Sequence, residues 1–145
     1  MKFLPDVNVI FPLMVSQHQL REKAVEWFDM ADSGEVVLSR LTRLGTLRLL
    51  CTAAVMGPDV LQPKAAIQAM EILEADGRVV MPQEPDGIDA VLKGFVATCS
   101  ASPNLWTDAY LAAFAKATGL QLVSFDRGFT KFAGLDFVLL STGRP

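Results

Sequence analysis

The chain predicts an α/β fold, a three-layer α/β/α sandwich built on a five-stranded parallel sheet. Three observations carry the prediction. Five short runs of β-branched or apolar residues recur along the chain, longer stretches with helical spacing separate them, and Gly and Pro punctuate the joins. Strands separated by helices pair in parallel, and the helices then cover both faces of the sheet.

The elements follow in order. "KFLPDV", within residues 1–7, is the first strand, and Pro5 places the end of regular pairing near itself because it cannot donate to a ladder. "QLREKAVEWFDMADSG" sets Ala24, Trp27, Phe28 and Ala31 at helical spacing, with Gly34 as the stop. "EVVLS" at 35–39 is the second strand, and "SRLTRLGTLRLL" opens the second crossover. Gly57, Pro58 and Pro63 divide that crossover into two helices, the second being "PKAAIQAMEILEADG" with Pro63 at its start and Gly77 at its end. "RVVMP" at 78–82 is the third strand, followed by the turn-rich loop "MPQEPDG" and a helical stretch at 88–99. "LWTDAYLAAFA" at 105–115 is a largely apolar helix leading into the fourth strand, "LQLVSF" at 120–125. The turn "DRGFTKF" and a fifth strand, "DFVLL" at 136–140, complete the pattern.

The totals narrow the class. At 145 residues, 51% hydrophobic and 20% charged, the chain has the balance of one compact domain spanning 1–145. No apolar run reaches the ~18 residues of a membrane span, and "MKFLPDVNVIFPL" interrupts its apolar residues with an acid and two prolines, so no membrane association and a cytoplasmic location are expected. Cys51 and Cys99 have no CxxC or Cys/His spacing around them, and are expected to be buried small apolar residues. A net charge of −3 argues against binding nucleic acid by bulk charge, so any such role needs a local patch.

Ligands of an open parallel sheet bind outside the carboxyl ends of its strands, where the strand order reverses. Asp6 ends strand 1, Asp126 follows strand 4, and Asp108 opens the helix that leads into strand 4, so all three can face one edge. Each alone has an ordinary explanation: a turn or helix cap for Asp6 and Asp126, the helix dipole for Asp108. Together they repel, by about 3 kcal/mol for a pair ~5 Å apart at an effective dielectric of ~20. A cation relieves that repulsion. Hard oxygen donors without histidine or thiolate favour Mg²⁺ or Mn²⁺, and the chemistry implied is metal-assisted attack of water on a phosphodiester. Between Glu35 and Asp59 the chain has no acid, while Arg40, Arg43 and Arg48 fall close together as a phosphate-contacting patch would require. Arg127 and Lys131 add charge from the other side.

Three stretches, "FLPDVNVIF", "WTDAYLAAFA" and "LVSFDRGF", resemble PIN-domain ribonucleases in order, spacing and flanking residues, specifically the VapC-type toxins of bacterial toxin–antitoxin pairs. The resemblance extends over nearly the whole chain. It implies a PIN-like fold, Mg²⁺- or Mn²⁺-dependent endoribonuclease activity on structured RNA such as tRNA or rRNA, inhibition by a cognate VapB-type antitoxin, and a homodimer. It further implies that Asp6 is a metal ligand supported by Asn8, that Asp108 and Asp126 complete the cluster, and that Ser124 holds the small hydroxyl position before the last acid. One position departs from the pattern. Where the family has T-x-x-E, this chain has Thr42 followed by Gly45, which implies fewer protein ligands and more water, with a packing or access reason for the glycine.

Other residues invite roles that the sequence does not sustain. His18 lacks a visible acid–base partner. Trp27 and Phe28 lie on an apolar face as core or dimer contacts, and Trp106 and Tyr110, beside Asp108, are expected to pack or to line the cleft rim. Two rival functions remain in view. "DVN" after a strand is similar to the aspartyl-phosphate phosphatases, although Asn8 stands where their second acid is expected. An RNA- or antitoxin-binding module that has lost catalysis through Gly45 is the other.

Overall fold

A computed structural model of the chain describes residues 1–142, so the last three residues of the expected 1–145 domain lie outside the described part. The five expected strands form one parallel sheet: β1 Phe3–Pro5, β2 Val36–Val37, β3 Val79–Val80, β4 Gln121–Ser124 and β5 Phe137–Leu139. Their order across the sheet is β3-β2-β1-β4-β5. The chain therefore moves outward from β1 in one direction and returns to its other side with β4. The reversal falls between β1 and β4, which pair Phe3 with Gln121 and Pro5 with Val123.

The helices are α1 Val7–Met14, α2 Arg21–Asp29, α3 Arg40–Leu50, the single turn α4 Ala53–Met56, α5 Pro63–Glu74, α6 Ile88–Val96 and α7 Leu105–Thr118. Pro5 is buried and central rather than at a sheet edge, and it is tolerated because it is the last paired residue of β1. Asp6 donates its backbone N–H to the Val123 carbonyl and then caps α1, so strand and helix meet without a linker. Helix α7 is the most deeply seated of the helices. Leu105, Ala109 and the run Leu111–Ala115 are buried, and its small residues allow close approach to the sheet while Phe114 fills one layer of the core with Leu4, Leu122 and Phe129. Full burial of one such phenylalanine contributes about 2–3 kcal/mol.

The opposite layer holds Val9, Ile10, Trp27, Phe28 and Met70 against Val36 and Val123, which confirms Trp27 and Phe28 as core residues. Cys51 is exposed at the carboxyl end of α3, contrary to expectation, because α3 stops at Leu50 and the chain turns outward into α4. Cys99 is half-buried. No helix among the described residues is long and apolar enough to cross a membrane.

Candidate active site

The reversal of strand order leaves a cleft of about 700 Å³ at the carboxyl ends of β1 and β4. Asp6, Asn8, Asp108 and Asp126 line it, with Phe11, Leu41, Leu44, Leu49 and Leu111 forming an apolar wall. Three carboxylates from three separate elements thus open into one space.

Local backbone chemistry positions each of them. Asp6 is the N-cap of α1: its Oδ1 accepts from the Val7 N–H at 2.7 Å, and its Oδ2 accepts from the Ser124 hydroxyl at 3.0 Å. Asp126 caps the 3-10 turn Arg127–Lys131, its Oδ1 accepting from the Gly128 N–H at 2.8 Å. Asp108 stands one turn into α7, where its backbone N–H makes the first helical bond, to the Asn104 carbonyl. Its carboxylate accepts no hydrogen bond from the protein among the described residues, which leaves it directed into the cleft.

Ser124 is fully buried and ties these pieces together. Its oxygen accepts from Asn8 Nδ2 and from the Asp126 backbone N–H, each at 3.0 Å, and its proton goes to Asp6. Asn8 Oδ1 in turn accepts from the Phe125 N–H at 3.2 Å. The start of α1 and the end of β4 are therefore joined by side-chain hydrogen bonds across the reversal. Asn8 is an orienting amide, and a carboxamide does not titrate near neutral pH, so it cannot fill the acid–base position of the phosphatase kind. Thr42 works from beneath: buried, it donates to the Pro5 carbonyl at 3.3 Å and fastens the start of α3 to the end of β1.

Electrostatics record the crowding of acids. Burial raises the Asp6 carboxyl above its ordinary range, and the Asp126 charge adds to that effect against the hydrogen bonds from Val7 and Ser124. Asp108 is pushed up to about 6 by burial and then by the Asp6 and Asp126 charges, with Lys131 acting weakly the other way. This hard-oxygen set fits a divalent cation, which would offset the repulsion. Among the described residues no three acids, histidines or cysteines stand close enough to ligate one ion directly, so in this arrangement at most two of the carboxylates would touch an ion and water would complete its shell.

The expected arginine patch divides. Arg48 lines the cleft, and Arg40 lines a shallower groove beside it. Arg43 does not join them, because its Nε pairs with Glu74 of α5, half-buried between the two helices. Its side chain leaves α3 on the face packed against α5, and only the packing of those helices reveals the partner. Arg127 is exposed beyond Asp126.

Gly45 has a packing reason. A Cβ built there would stand 2.8 Å from Val7 Cγ2, so any side chain at this cleft-lining position requires the stiff Val7 methyl to shift. Two residues passed over in the sequence also line the cleft, Thr107 and His18. His18 Nδ1 accepts from the Leu20 N–H at 3.0 Å, its ring meets Phe11 edge-on, and burial lowers its pKa. Nothing in its spacing signals this, since the loop between α1 and α2 brings it there. Of the two expectations for Trp106, packing or lining the cleft rim, the second holds: it is 63% exposed beside the cleft, and Tyr110 donates to Glu84 Oε2 at 2.6 Å.

Comparison with known proteins defines the class. The PIN domain family matches residues 3–135, and the chain belongs to that family. It is 34% identical over 143 residues to Ribonuclease VapC41 of Mycobacterium tuberculosis, covering 95% of this chain and 98% of that protein. Within the PIN domains the chain falls among the VapC-type endoribonuclease toxins. Two solved structures share the fold: VapBC-1 from nontypeable Haemophilus influenzae (TM-score 0.69, 18% identity, 96% of this chain and 98% of that one) and VapC20 of Mycobacterium tuberculosis, described as a sarcin–ricin loop cleaving toxin (TM-score 0.66, 18% identity, 99% and 100%).

Proposed function

We propose that Asp6, Asp108 and Asp126 hold a Mg²⁺ or Mn²⁺ ion with which the chain hydrolyses phosphodiester bonds of structured RNA, tRNA or rRNA. The observation that carries the reading is the meeting of three carboxylates at the strand-order reversal, with Asp108 raised to about 6 and given no protein hydrogen-bond donor among the described residues. When bound, the divalent ion activates water and stabilises charge developing on the phosphate. The chain's residues supply position. Asp6 is aimed by Val7 and Ser124, Asn8 and Ser124 keep the ends of β1 and β4 in register, and Thr42 holds α3 against them. Arg48 from the cleft wall, with Arg40 and Arg127 at its rims, contacts substrate phosphates.

A VapB-type antitoxin restrains the activity, and the functional unit is a cytoplasmic homodimer of single-domain chains. The shared VapBC-1 architecture supports the antitoxin, and the relative described as cleaving the sarcin–ricin loop supports rRNA as substrate. The test is cleavage of total cellular RNA by partner-free protein with Mg²⁺, Mn²⁺ or EDTA, beside Asp108→Asn. Discrete fragments that require the metal and vanish in the variant are expected. Gly45 motivates a second reading, a binding module without catalysis, for which the same experiment would yield RNA binding and no cleavage at any metal concentration.

A further inference from the structure

Beside the cleft lies a groove of about 400 Å³ between the first turns of α3 and α7 and the loop after β3. Trp106 and Tyr110 form one side of it, and Arg40 and Glu84 supply its charges. It shares Leu41, Leu44 and Thr107 with the cleft itself, so the two spaces are continuous. We propose that this groove seats one unstacked nucleobase of the RNA, stacked on Trp106, with guanine the preferred base. The proposal rests on the ribonuclease reading above and deepens it.

An indole left 63% exposed two residues before Asp108 offers a π-face next to the place where a phosphate must lie. Sequence-specific recognition of RNA uses this device: bases splayed from single-stranded loops stack on aromatic side chains and are read along their Watson–Crick edges. Arg40, on the first turn of α3, forms no ion pair among the described residues and is available to a nucleotide's phosphate or base plane.

Glu84 supplies the base preference. Its Oε2 receives the Tyr110 hydroxyl proton, which orients the carboxylate and leaves Oε1 without a hydrogen bond among the described residues. Guanine alone presents two adjacent donors, N1–H and the 2-amino group, to a two-oxygen acceptor. Adenine and cytosine place an acceptor nitrogen beside their amino group, and uracil sets its single N–H between two carbonyls. An apolar protein segment fits this groove less well, because it would have to desolvate the opposite charges of Arg40 and Glu84.

The experiment uses the cleavage-deficient Asp108→Asn chain, partner-free, with Mg²⁺ and labelled tetraribonucleotides UUGU, UUIU (inosine, lacking the 2-amino group) and UUAU. UUGU is expected to bind about tenfold tighter than UUIU, as loss of one hydrogen bond to a charged group predicts, and UUAU is expected to bind more weakly than UUIU because its N1 turns an acceptor toward the carboxylate. Trp106→Ala should weaken UUGU binding about tenfold and Trp106→Phe should restore most of it, since one stacked base is lost and then regained. Glu84→Gln should erase the difference between UUGU and UUIU. Cleavage of total RNA by otherwise wild-type chains separates the two readings. If the wild type cleaves and Asp6→Asn does not, while Trp106→Ala alters neither oligonucleotide binding nor the fragment ends, the subsite is refuted and the nuclease stands. If Trp106→Ala instead abolishes only capture of a co-expressed antitoxin, the groove is a protein site and the proposal falls. If the wild type cleaves no RNA and the Asp108→Asn chain binds none, both readings fail together.

Discussion

The two ends of the sheet treat aspartate in opposite ways. Near the amino end of β3, Asp76 faces Arg78, which donates from Nε to Asp76 Oδ1 at 3.0 Å and from Nη2 to Oδ2 at 2.9 Å. Arg78 also reaches the Phe28 carbonyl and Asp29, and its guanidinium lies 3.8 Å from the centre of the Phe28 ring. These bonds hold the Asp76 carboxyl down to about 2. At the carboxyl ends of β1 and β4, Asp108 is pushed up to about 6 among acids. A fold that neutralises its carboxylates at one end has the means to do so at the other. The carboxyl end instead leaves its acids without a paired protein cation among the described residues, which suits the ion proposed above for that site.

The sharpest way to break the comparison is to remove one acid from each end. Asp6→Asn should lower metal-dependent cleavage of RNA by about 10³-fold, the loss of roughly 4 kcal/mol of transition-state stabilisation. Asp76→Asn should leave the cleavage rate unchanged in the same gel assay. Comparable losses in both variants would show that the acidic end has no special role.

Gly45 gives the next largest effect, this time on stability. Gly45→Glu forces a Cβ against Val7, and overpacking of this kind costs about 1–3 kcal/mol. Denaturant midpoints should drop accordingly, and cleavage should gain nothing from the added carboxylate. Pairing the change with Val7→Ala should recover part of the loss, a coupling of about 1 kcal/mol in a double-mutant cycle. Additive losses would mean that the close approach of α1 and α3 is not what excludes a side chain.

The smallest effects concern protons. Asp108 has a folded pKa above its unfolded value, so the folded metal-free chain binds more protons between about pH 4 and 6, and stability falls as pH rises through that window. Solvent screening at this half-buried group reduces the effect to about 1 kcal/mol. Asp108→Asn should therefore raise the pH 7 melting temperature in EDTA by about 3 °C relative to wild type, and added Mg²⁺ should stabilise the wild type more than the variant. Asp76 has the opposite sign: its stabilisation is present above about pH 4 and is lost as pH falls towards 2. In Asp76→Asn the acid limb of the stability curve should flatten, while the limb between pH 4 and 6 is untouched. A single common pH dependence in the two variants would erase the contrast between the two ends.

Several features were open to the sequence and several were closed to it. The strands lay where runs such as "EVVLS" and "LQLVSF" put them, although β2 and β3 shorten to two paired residues each. Asp6, Asp108 and Asp126 could be brought to one edge by the strand-end rule alone, because their places relative to β1, β4 and α7 are fixed by local pattern. Arg43 could not be separated from Arg40 and Arg48, since helical spacing does not disclose which face of α3 meets Glu74. The exposure of Trp106 and the bond between Tyr110 and Glu84 depend on the loop after β3 folding across the start of α7.

By itself, then, the sequence determined the alternation of strands and helices, the parallel sheet, and the identity of three acids at its carboxyl edge. These are consequences of periodicity and chain connectivity, which act over a few residues at a time. Only the tertiary structure decided that β1 is central with Pro5 at its end, that Ser124 joins Asp6 to Asn8 and Asp126, that a Val7 methyl crowds Gly45, and that Arg43 is spent on an ion pair. Each of those depends on which surfaces meet when distant segments pack, and close packing settles such contacts by fractions of an ångström that no local pattern encodes.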